Sequence, residues 1–325
     1  MLISIVIPVY KVEEYIERCI QSVISQDYQG DLECLLIDDC TPDNSCAIIG
    51  NILDKYDGPI KFRLLHHEKN RGLSAARNTG IDNAQGDYIY FLDSDDYISS
   101  DCISKLAAPL SERDYDIVIG NYTTLGTDVL FPPLKLGNRQ FFHNDDIIES
   151  YTLYEWYMMA WNKLCNLSFI KNHSLYFMEG LIQEDELWSF QCACSAKSLI
   201  SIDSNTYYYC IRESSIIGSK GEWDRKRQSM VILGYMQDYI SQNHLFNSRY
   251  LGFVQDRYGV IKNETVRDLC QGKVINSIFL KTFWTISKKL GYNNSAKNKA
   301  INYLIYRGNS KWASVLLKYI HKIVK

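Results

Sequence analysis

The sequence predicts an α/β protein with a mostly parallel sheet flanked by helices, followed by a helical C-terminal region. Short β-branched runs alternate with amphipathic helical patterns over residues 1–121. The strands are apolar on both faces, which is typical of a parallel sheet that helices cover on both sides. After Trp223 the pattern is helical to the end of the sequence. The 46% hydrophobic and 22% charged residues of the 325-residue chain are ordinary for a packed globular protein.

Five strands and four helices are predicted in the first 121 residues. Ile3–Ile7 is the first strand, and Glu13–Ser25 carries apolar residues at a 3.6-residue period, which predicts a helix. The alternation continues, strand before helix, through Cys34–Ile37, Asn44–Tyr56, Phe62–Leu65, Leu73–Ala84, Tyr88–Leu92, Ile103–Leu110 and the final strand Asp116–Ile119. A domain boundary is expected near Ser214–Gly221, where serine and glycine cluster.

Cysteine use and hydropathy favour a cytoplasmic protein. The ten cysteines form no C-x-x-C pair and several lie in apolar runs, so we expect free thiols in a reducing compartment rather than disulfides or a zinc site. The sequence opens directly on a strand, without the features of a signal peptide. No apolar run approaches the roughly 18 residues that a membrane-spanning helix needs.

Polar side chains follow three of the predicted strands. Pro8-Val9-Tyr10 ends the first, Asp38-Asp39 the second, and Asp93-Ser94-Asp95-Asp96 the fourth. The carboxyl ends of strands in an open parallel sheet share one ligand-binding crevice. Carboxylates this close repel unless a cation joins them, and Mg²⁺ is usually shared between one or two carboxylates and substrate phosphates. The pattern indicates a metal and a diphosphate, and the alternative is a polar turn that caps the helix starting near Asp101.

The segment Asn70–Gly80 leads into the third predicted helix with many small residues. Small residues allow a helix to approach another backbone or a ligand, and a helix N-terminus favours an anion. Arg77 could neutralise a phosphate. The alternative is that the small residues serve helix–sheet packing and that Arg77 forms a structural ion pair.

Several motifs occur in the order that a known family has. They are S-I-V-I-P-V-Y, L-L-I-D-D-C-T-P-D-N-S, N-R-G-L-S-A-A-R-N-T-G-I, G-D-Y-I-Y-F-L-D-S-D-D, and A-W-N-K-L with Q-E-D-E-L-W, within roughly Ile3 to Cys210. In this combination the chain resembles family 2 of the glycosyltransferases. The resemblance implies the GT-A fold with its Rossmann-like sheet. One departure is Cys40-Thr41-Pro42, which stands where many members have Gly-Ser-Thr beside the base pocket.

The resemblance implies a role for each strand end. Pro8, Val9 and Tyr10 would line the nucleotide base, and Asp39 would hydrogen-bond the uracil with Asp38 as its support. In Asp93-Ser94-Asp95, Asp95 would hold Mg²⁺ or Mn²⁺ on the diphosphate and Asp93 would lie near the ribose. Asp96 would instead cap the next helix.

The resemblance also supplies a general base. Sugar transfer with inversion needs one carboxylate opposite the diphosphate, to take the proton of the acceptor hydroxyl. The family pattern assigns this role to Asp185, with Glu184 as second candidate and Glu186 as a solvated residue of the first helical turn. Without the resemblance, these acids would be read as favourable charges at a helix N-terminus. Trp161 is a candidate for stacking on the acceptor sugar, with a place in the core as the alternative.

The implied function is an inverting transfer of a hexosyl or N-acetylhexosaminyl group from a nucleotide-sugar, expected to be a UDP-sugar. The acceptor is expected to be a saccharide, lipid-linked, in bacterial capsule, O-antigen or exopolysaccharide synthesis, and no nucleic-acid partner is expected. Residues 1–125 would bind the donor, 126–215 the acceptor, and 216–325 would be helical. Two alternatives stay open. A sugar nucleotidyltransferase would be expected to carry a glycine-rich basic loop after strand one, where Pro-Val-Tyr-Lys-Val-Glu-Glu stands, and a non-catalytic module would not need a base.

The C-terminal segment is strongly basic. Residues 281–325 hold nine Lys, one Arg and no acid, whereas the first 280 residues carry 25 bases against 38 acids. On a helical wheel from Lys311 to Lys325 the lysines gather on one side, next to Trp312 and aliphatic residues. Such a helix suits an anionic membrane surface, which would place the protein on the inner face of the cell membrane. The alternative is a terminal helix that packs on the body.

Overall fold

The computed structural model describes residues 1–126, 134–211, 221–245, 248–291, 295–310, 313 and 315–317 of the chain. The chain consists of two compact units, Met1–Glu213 and Ser214–Lys325. The segment in which a boundary was expected, Ser214–Gly221, lies outside the described residues except for Gly221. The division of the first unit into donor and acceptor halves after residue 125 stays a prediction.

The first unit contains nine described strands and seven described α-helices. The strands are β1 (Leu2–Val9), β2 (Asp31–Asp38), β3 (Lys61–His66), β4 (Tyr88–Phe91), β5 (Tyr97–Ile98), β6 (Ile117–Leu125), β7 (Arg139–Phe141), β8 (Lys163–Asn166) and β9 (Leu199–Cys210). The helices are α1 (Ile16–Ile24), α2 (Ser45–Leu53), α3 (Leu73–Asn83), α4 (Cys102–Ala107), α5 (Asn144–Thr152), α6 (Leu167–Asn172) and α7 (Glu184–Ser195). The five strands and four helices predicted for residues 1–121 are all present.

The strands form one sheet in the order β3-β2-β1-β4-β8-β6-β9-β5, with β7 paired to β9. The first four strands of this order run parallel, and β6 runs parallel to β9. β8 is antiparallel to both neighbours, β4 and β6, and β5 and β7 are antiparallel to β9. The predicted α/β architecture with its mostly parallel sheet is confirmed, and β8 joins a second group of strands to the parallel one.

Helix α3 lies very close to the sheet. A Cβ added at Gly80 would be 2.3 Å from a methyl group of Val6 in β1, so only glycine permits this approach. Arg77 stands one turn before Gly80 in α3 and is fully buried. The small residues of the segment thus serve helix–sheet packing, as one of the two sequence-based interpretations proposed.

The described part of the second unit is helical, as expected for the residues after Trp223. Its helices are α8 (Glu222–Gln242), α9 (Ser248–Cys270), α10 (Ser277–Lys289) and α11 (Ala296–Tyr306). Phe279 and Phe283 of α10 are buried in the core of this unit. Among the described residues, no helix combines the length and the apolar character needed to cross a bilayer. The predicted amphipathic helix over Lys311–Lys325 lies outside the described residues, except for residues 313 and 315–317.

Candidate active site

Asp39 follows β2 directly, and its carboxylate binds the backbone of the neighbouring loop. Its backbone N–H donates to the carbonyl of Val9 at 3.0 Å, which joins the ends of β2 and β1. Its Oδ1 accepts from the backbone N–H of Arg71 (2.8 Å) and from Nδ1 of His67 (2.7 Å), and its Oδ2 accepts from the N–H of Gly72 (2.7 Å). The predicted base-binding residue is thus fixed to the start of α3. Sequence analysis gave His67 no role, because His66-His67-Glu68 does not complete the H-E-x-x-H metal motif and nothing local predicts a contact with Asp39.

The three residues predicted to line the base differ in exposure. Pro8 and Val9 belong to β1 and have buried side chains, whereas Tyr10 is 40% exposed at the strand end. The ammonium of Lys11 lies 5.4 Å from the centre of the Tyr10 ring. Tyr10 therefore provides the one aromatic face of this trio that a ligand can reach.

Asp96 does not cap the next helix, contrary to the prediction. Its carboxylate is buried and accepts hydrogen bonds from the hydroxyl of Tyr207 (2.5 Å) and the backbone N–H of Cys210 (2.7 Å), both in β9. Burial and the neighbouring carboxylates raise the pKa of Asp96 well above its usual value. Asp101 occupies the position before α4 instead. The prediction was wrong because a local pattern does not reveal that β9, more than 100 residues later, covers this turn.

Arg77 joins the acidic loop after β4 to the first turn of α7. Its fully buried guanidinium donates to Asp93 Oδ1 at 2.7 Å, to Glu184 Oε1 at 2.7 Å and to Asp185 Oδ1 at 2.6 Å. Phe177 covers one face of the guanidinium, 5.1 Å from its ring centre. Of the two alternatives for Arg77, the structural ion pair is the one present, and it connects three predicted site residues that are far apart in the sequence.

One face of α3 attaches the segment that leads into α7. Ser74, Arg77 and Asn78 lie on this face, at spacings of three and four residues that place them on one side of the helix, and Arg71 lies just before it. The contacts are Arg71 Nη2 to Glu179 Oε1 at 2.9 Å, Ser74 Oγ to the Met178 carbonyl at 2.9 Å, and two 2.8 Å bonds between the Asn78 side chain and the Phe177 backbone. The periodic polar residues of the motif were the signal that could have predicted this docking face.

Glu184 and Asp185 share the guanidinium but differ in access to solvent. The Asp185 side chain is 18% exposed, against 8% for Glu184. Burial raises the pKa of Glu184 to about 7, with a further rise from the Asp185 charge and an opposing effect of Arg77. Burial also raises the pKa of Asp185, and Arg77 opposes that rise. Gln183, which precedes α7, has left-handed backbone angles (φ 63°, ψ 38°), a strained conformation that is typical of functional sites.

Glu186 and Trp161 both lie in the core. Glu186 was predicted to be solvated, but only 3% of it is exposed. Trp161 was a candidate for sugar stacking, but it is 1% exposed and stacks on Tyr207 at 4.3 Å between ring centres. Because the Tyr207 hydroxyl binds Asp96 and accepts from the backbone N–H of Asp93, Trp161 supports the acidic loop from behind. The structure therefore places Trp161 in the alternative, core role.

The acidic loop offers two carboxylates that suit a divalent cation. Asp93 and Asp95 are partly exposed, whereas Ser94 between them is buried and Asp96 has both oxygens engaged by β9. Mg²⁺ and Mn²⁺ take oxygen ligands, and Mg²⁺ is commonly held by one or two carboxylates together with substrate phosphates. The donor set of Asp93 and Asp95 therefore fits a cation that a diphosphate completes.

A mostly parallel sheet whose strand ends gather the Asp39 loop, an acidic loop and a helix-borne carboxylate pair has the GT-A fold. Within it, residues 4–164 match the family described as glycosyl transferase family 2. This part of the chain belongs to that family.

Two curated relatives agree with this assignment. Glycosyltransferase GlyA of Streptococcus pneumoniae is 32% identical over 226 residues, which is 66% of this chain and 31% of GlyA. The uncharacterized glycosyltransferase EpsJ of Bacillus subtilis is 32% identical over 216 residues, 64% of this chain and 60% of EpsJ. The chain therefore spans less than two thirds of the length of these relatives.

Two solved structures share the fold. The structure of Staphylococcus aureus TarS 1–349 in complex with UDP-GlcNAc has a TM-score of 0.72 at 18% identity and covers 100% of this chain and 93% of that one. Curated TarS is described as a poly(ribitol-phosphate) β-N-acetylglucosaminyltransferase. The mannosyltransferase PcManGT of Pyrobaculum calidifontis, in complex with GDP-Man and Mn²⁺, has a TM-score of 0.53 at 10% identity and covers 98% of this chain and 86% of that one.

Proposed function

We propose that the protein transfers a sugar from a UDP-sugar to a saccharide acceptor with inversion, and that Asp185 is the general base. The observation that carries this proposal is the Arg77 cluster, in which one guanidinium binds both Asp93 of the acidic loop and Asp185 at the start of α7. A donor-side carboxylate and a partly exposed base are thereby held a fixed distance apart.

Uridine recognition is proposed for the Asp39 loop. Among the described residues, two donors occupy Oδ1 of Asp39 but only one occupies Oδ2, and a carboxylate oxygen has two acceptor sites. Oδ2 can therefore accept the N3–H of a uracil, and Tyr10 offers an exposed ring at the end of the neighbouring strand β1. A uridine donor is also what the fold neighbour TarS carries in its UDP-GlcNAc complex.

Asp95, with Asp93, would hold Mg²⁺ or Mn²⁺ on the donor diphosphate. When bound, such an ion neutralises the negative charge that develops on a diphosphate leaving group. The Mn²⁺ in the PcManGT structure supports a divalent ion in this fold without deciding which metal this chain uses.

The chemistry assigned to the chain's own residues is proton transfer and positioning. Asp185 accepts the proton of the acceptor hydroxyl while that oxygen attacks the anomeric carbon and the bond to the diphosphate breaks on the opposite face. Arg77 orients Asp185 through a 2.6 Å ion pair and holds Asp93 in place. Glu184 is more buried than Asp185, which favours Asp185 as the carboxylate that meets the acceptor.

The proposed acceptor is a bacterial surface glycan or its lipid-linked precursor. The TarS name, which specifies a poly(ribitol-phosphate) acceptor, supports a cell-envelope polymer of this kind. The basic segment 281–325 would bring the protein to the anionic inner surface of the membrane.

Transfer from a panel of UDP-sugars with Mn²⁺, in the absence of nucleoside triphosphate, tests the proposal. Asp185→Asn should leave UDP-sugar binding nearly intact and lower turnover about 10²–10⁴-fold. Asp95→Asn should abolish the dependence of UDP affinity on Mn²⁺. A large loss in Glu184→Gln with a small one in Asp185→Asn would reverse the base assignment. Activity that requires a triphosphate would favour a sugar nucleotidyltransferase, and binding without transfer a non-catalytic module.

A further inference from the structure

Lys163 is a buried cation in an unusual environment. It begins β8 in the middle of the sheet and none of its surface is exposed. Its Nζ donates to the carbonyl of Met159 and lies 4.4 Å from the ring centre of Tyr157 and 5.6 Å from that of Trp156. These contacts are a carbonyl and two aromatic rings rather than a carboxylate. Burial lowers the pKa of Lys163 to about 7. Burying an ammonium in this way costs stability, so its presence calls for a role.

Lys163 holds a short segment that is also bonded to α7, the helix that carries the proposed base. Three consecutive residues, Met158–Ala160, are each attached to a different group. The Met158 carbonyl accepts from Ser189 Oγ of α7 at 2.5 Å, and the Met159 carbonyl accepts from Lys163. The backbone N–H of the third residue, Ala160, lowers the pKa of the Asp185 carboxylate. Ser189 lies in α7 one turn after Asp185, so two side chains fix this short segment to the helix that carries the proposed base.

The charges around this arrangement favour an ionised Asp185. Besides burial, which raises the pKa of Asp185, the main influences on that pKa are Arg77, Asp93, the Ala160 N–H and Lys163, and the Glu184 carboxylate shares the Arg77 guanidinium with Asp185. Lys163 lowers the pKa of Asp185, as Arg77 and the Ala160 N–H do, whereas Asp93 raises it. The groups that act on Lys163 itself are Cys165 on β8, Asp185 and Cys192 on α7, and Arg77 on α3.

We propose that Lys163 is a positioning residue for Asp185: it anchors the Met158–Ala160 segment, which Ser189 joins to α7 one turn after the base. A neutral amine still has N–H groups to donate to the Met159 carbonyl, so the anchor does not depend on the charge of Lys163. Ser189 performs the same task from α7. This inference rests on the proposed role of Asp185 as base.

Two substitutions each remove one of the side chains that anchor the Met158–Ala160 segment. Lys163→Met removes the anchor while keeping an apolar side chain of similar length, and Ser189→Ala removes the second anchor. Each should lower kcat, by about 10- to 100-fold for Lys163→Met, because a small displacement of a catalytic group has effects of this size. KM for the UDP-sugar should stay within about twofold of the wild type, since neither residue belongs to the donor loops. Lys171→Met, at an exposed position in α6, is the matched control and should leave kcat unchanged.

The Asp185→Asn background separates this inference from the proposed function. Once the base is lost, Lys163→Met should cause no further loss of kcat, because its effect passes through Asp185. An equal loss of kcat in both backgrounds would overturn the inference, as would an unchanged kcat in both Lys163→Met and Ser189→Ala. A fall in kcat that a lower unfolding midpoint accounts for would also overturn it. Full turnover in Asp185→Asn alone would instead refute the assignment of the base itself.

Discussion

Replacing the buried Lys163 with methionine is expected to stabilise the protein at neutral pH, by an amount that shrinks as pH rises. The pKa of Lys163 is lowered to about 7 by burial, against ~10.4 for an exposed lysine. At ~1.4 kcal/mol for each pKa unit, keeping this side chain in the core costs about 5 kcal/mol at pH 7. Methionine leaves the Met159 carbonyl without its donor, which costs about 1–3 kcal/mol. The variant should therefore be roughly 3 kcal/mol more stable at pH 7.

The pH dependence of this difference follows from proton binding. Between about pH 7 and pH 10 the folded wild type holds Lys163 neutral, whereas the unfolded chain holds it protonated. Unfolding takes up a proton in this window, so the free energy of unfolding of the wild type rises with pH relative to the variant, by ~1.4 kcal/mol for each pH unit. Below about pH 7 both states are protonated and the difference between the two proteins is constant. The variant's advantage should vanish near pH 9.

Urea unfolding of the wild type, Lys163→Met and Lys171→Met over about pH 6–10 measures this difference. Other groups titrate in the alkaline range, but they are common to all three proteins and cancel in the comparison. The exposed Lys171 should give a flat difference from the wild type. A flat difference for Lys163→Met as well, or a variant that is less stable at every pH, would show that Lys163 is not a desolvated cation.

Four further changes test other parts of the site. Asp39→Ala should weaken UDP binding by about 10-fold or more, because it leaves two loop N–H groups unpaired; an unchanged preference for UDP over GDP in calorimetry would place base recognition elsewhere. Glu184→Gln should leave the acid limb of the kcat–pH profile in place, since Glu184, with a pKa of about 7, is already neutral at the lower pH of that limb; a limb that moves to lower pH would show that Glu184 is charged there and raises the pKa of Asp185. Trp161→Ala should lower the free energy of unfolding by about 3–5 kcal/mol, because it empties a core position. Weaker acceptor binding at unchanged stability would instead support a role for Trp161 in acceptor binding. Because Phe283 of α10 is buried, truncation at residue 281 would remove part of the core, so the membrane proposal is better tested in the full chain. Replacing Lys311, Lys318, Lys322 and Lys325 with glutamine should abolish salt-sensitive sedimentation with anionic vesicles.

The parallel half of the sheet could be predicted because its strands are continuous apolar runs and its helices have a clear period. β1 and β2 are buried along nearly their whole length, so local sequence and tertiary position agree. β8 could not be predicted in this way. Its sequence, Lys163–Asn166, begins with a residue that is almost always exposed, and only the finished fold places that lysine between β4 and β6.

The sequence predicts which residues meet in the candidate site better than it predicts whether each of them is buried. Asp39 follows β2 and Asp93 follows β4, and Arg77 of α3 joins Asp93 to Asp185 in α7, so the motif residues do meet, whereas their roles stay predictions. Whether an acid is solvated or buried was not visible locally. Asp96 is bound by β9, which lies more than 100 residues away in sequence, and nothing in its own segment indicates that contact.

The three carboxylates bound to Arg77 differ in exposure and in how readily they hold a proton. One guanidinium faces three carboxylates, so the group carries two excess negative charges when all are ionised, and a proton is held most readily by the most buried member. That member is Glu184, whose pKa of about 7 keeps it partly protonated near neutral pH. Asp93 is the most exposed at 23% and lies beside Asp95, where a cation can neutralise it. Asp185 is left as the partly exposed carboxylate on Arg77, which is why we propose it, rather than Glu184, as the base that would meet the acceptor hydroxyl.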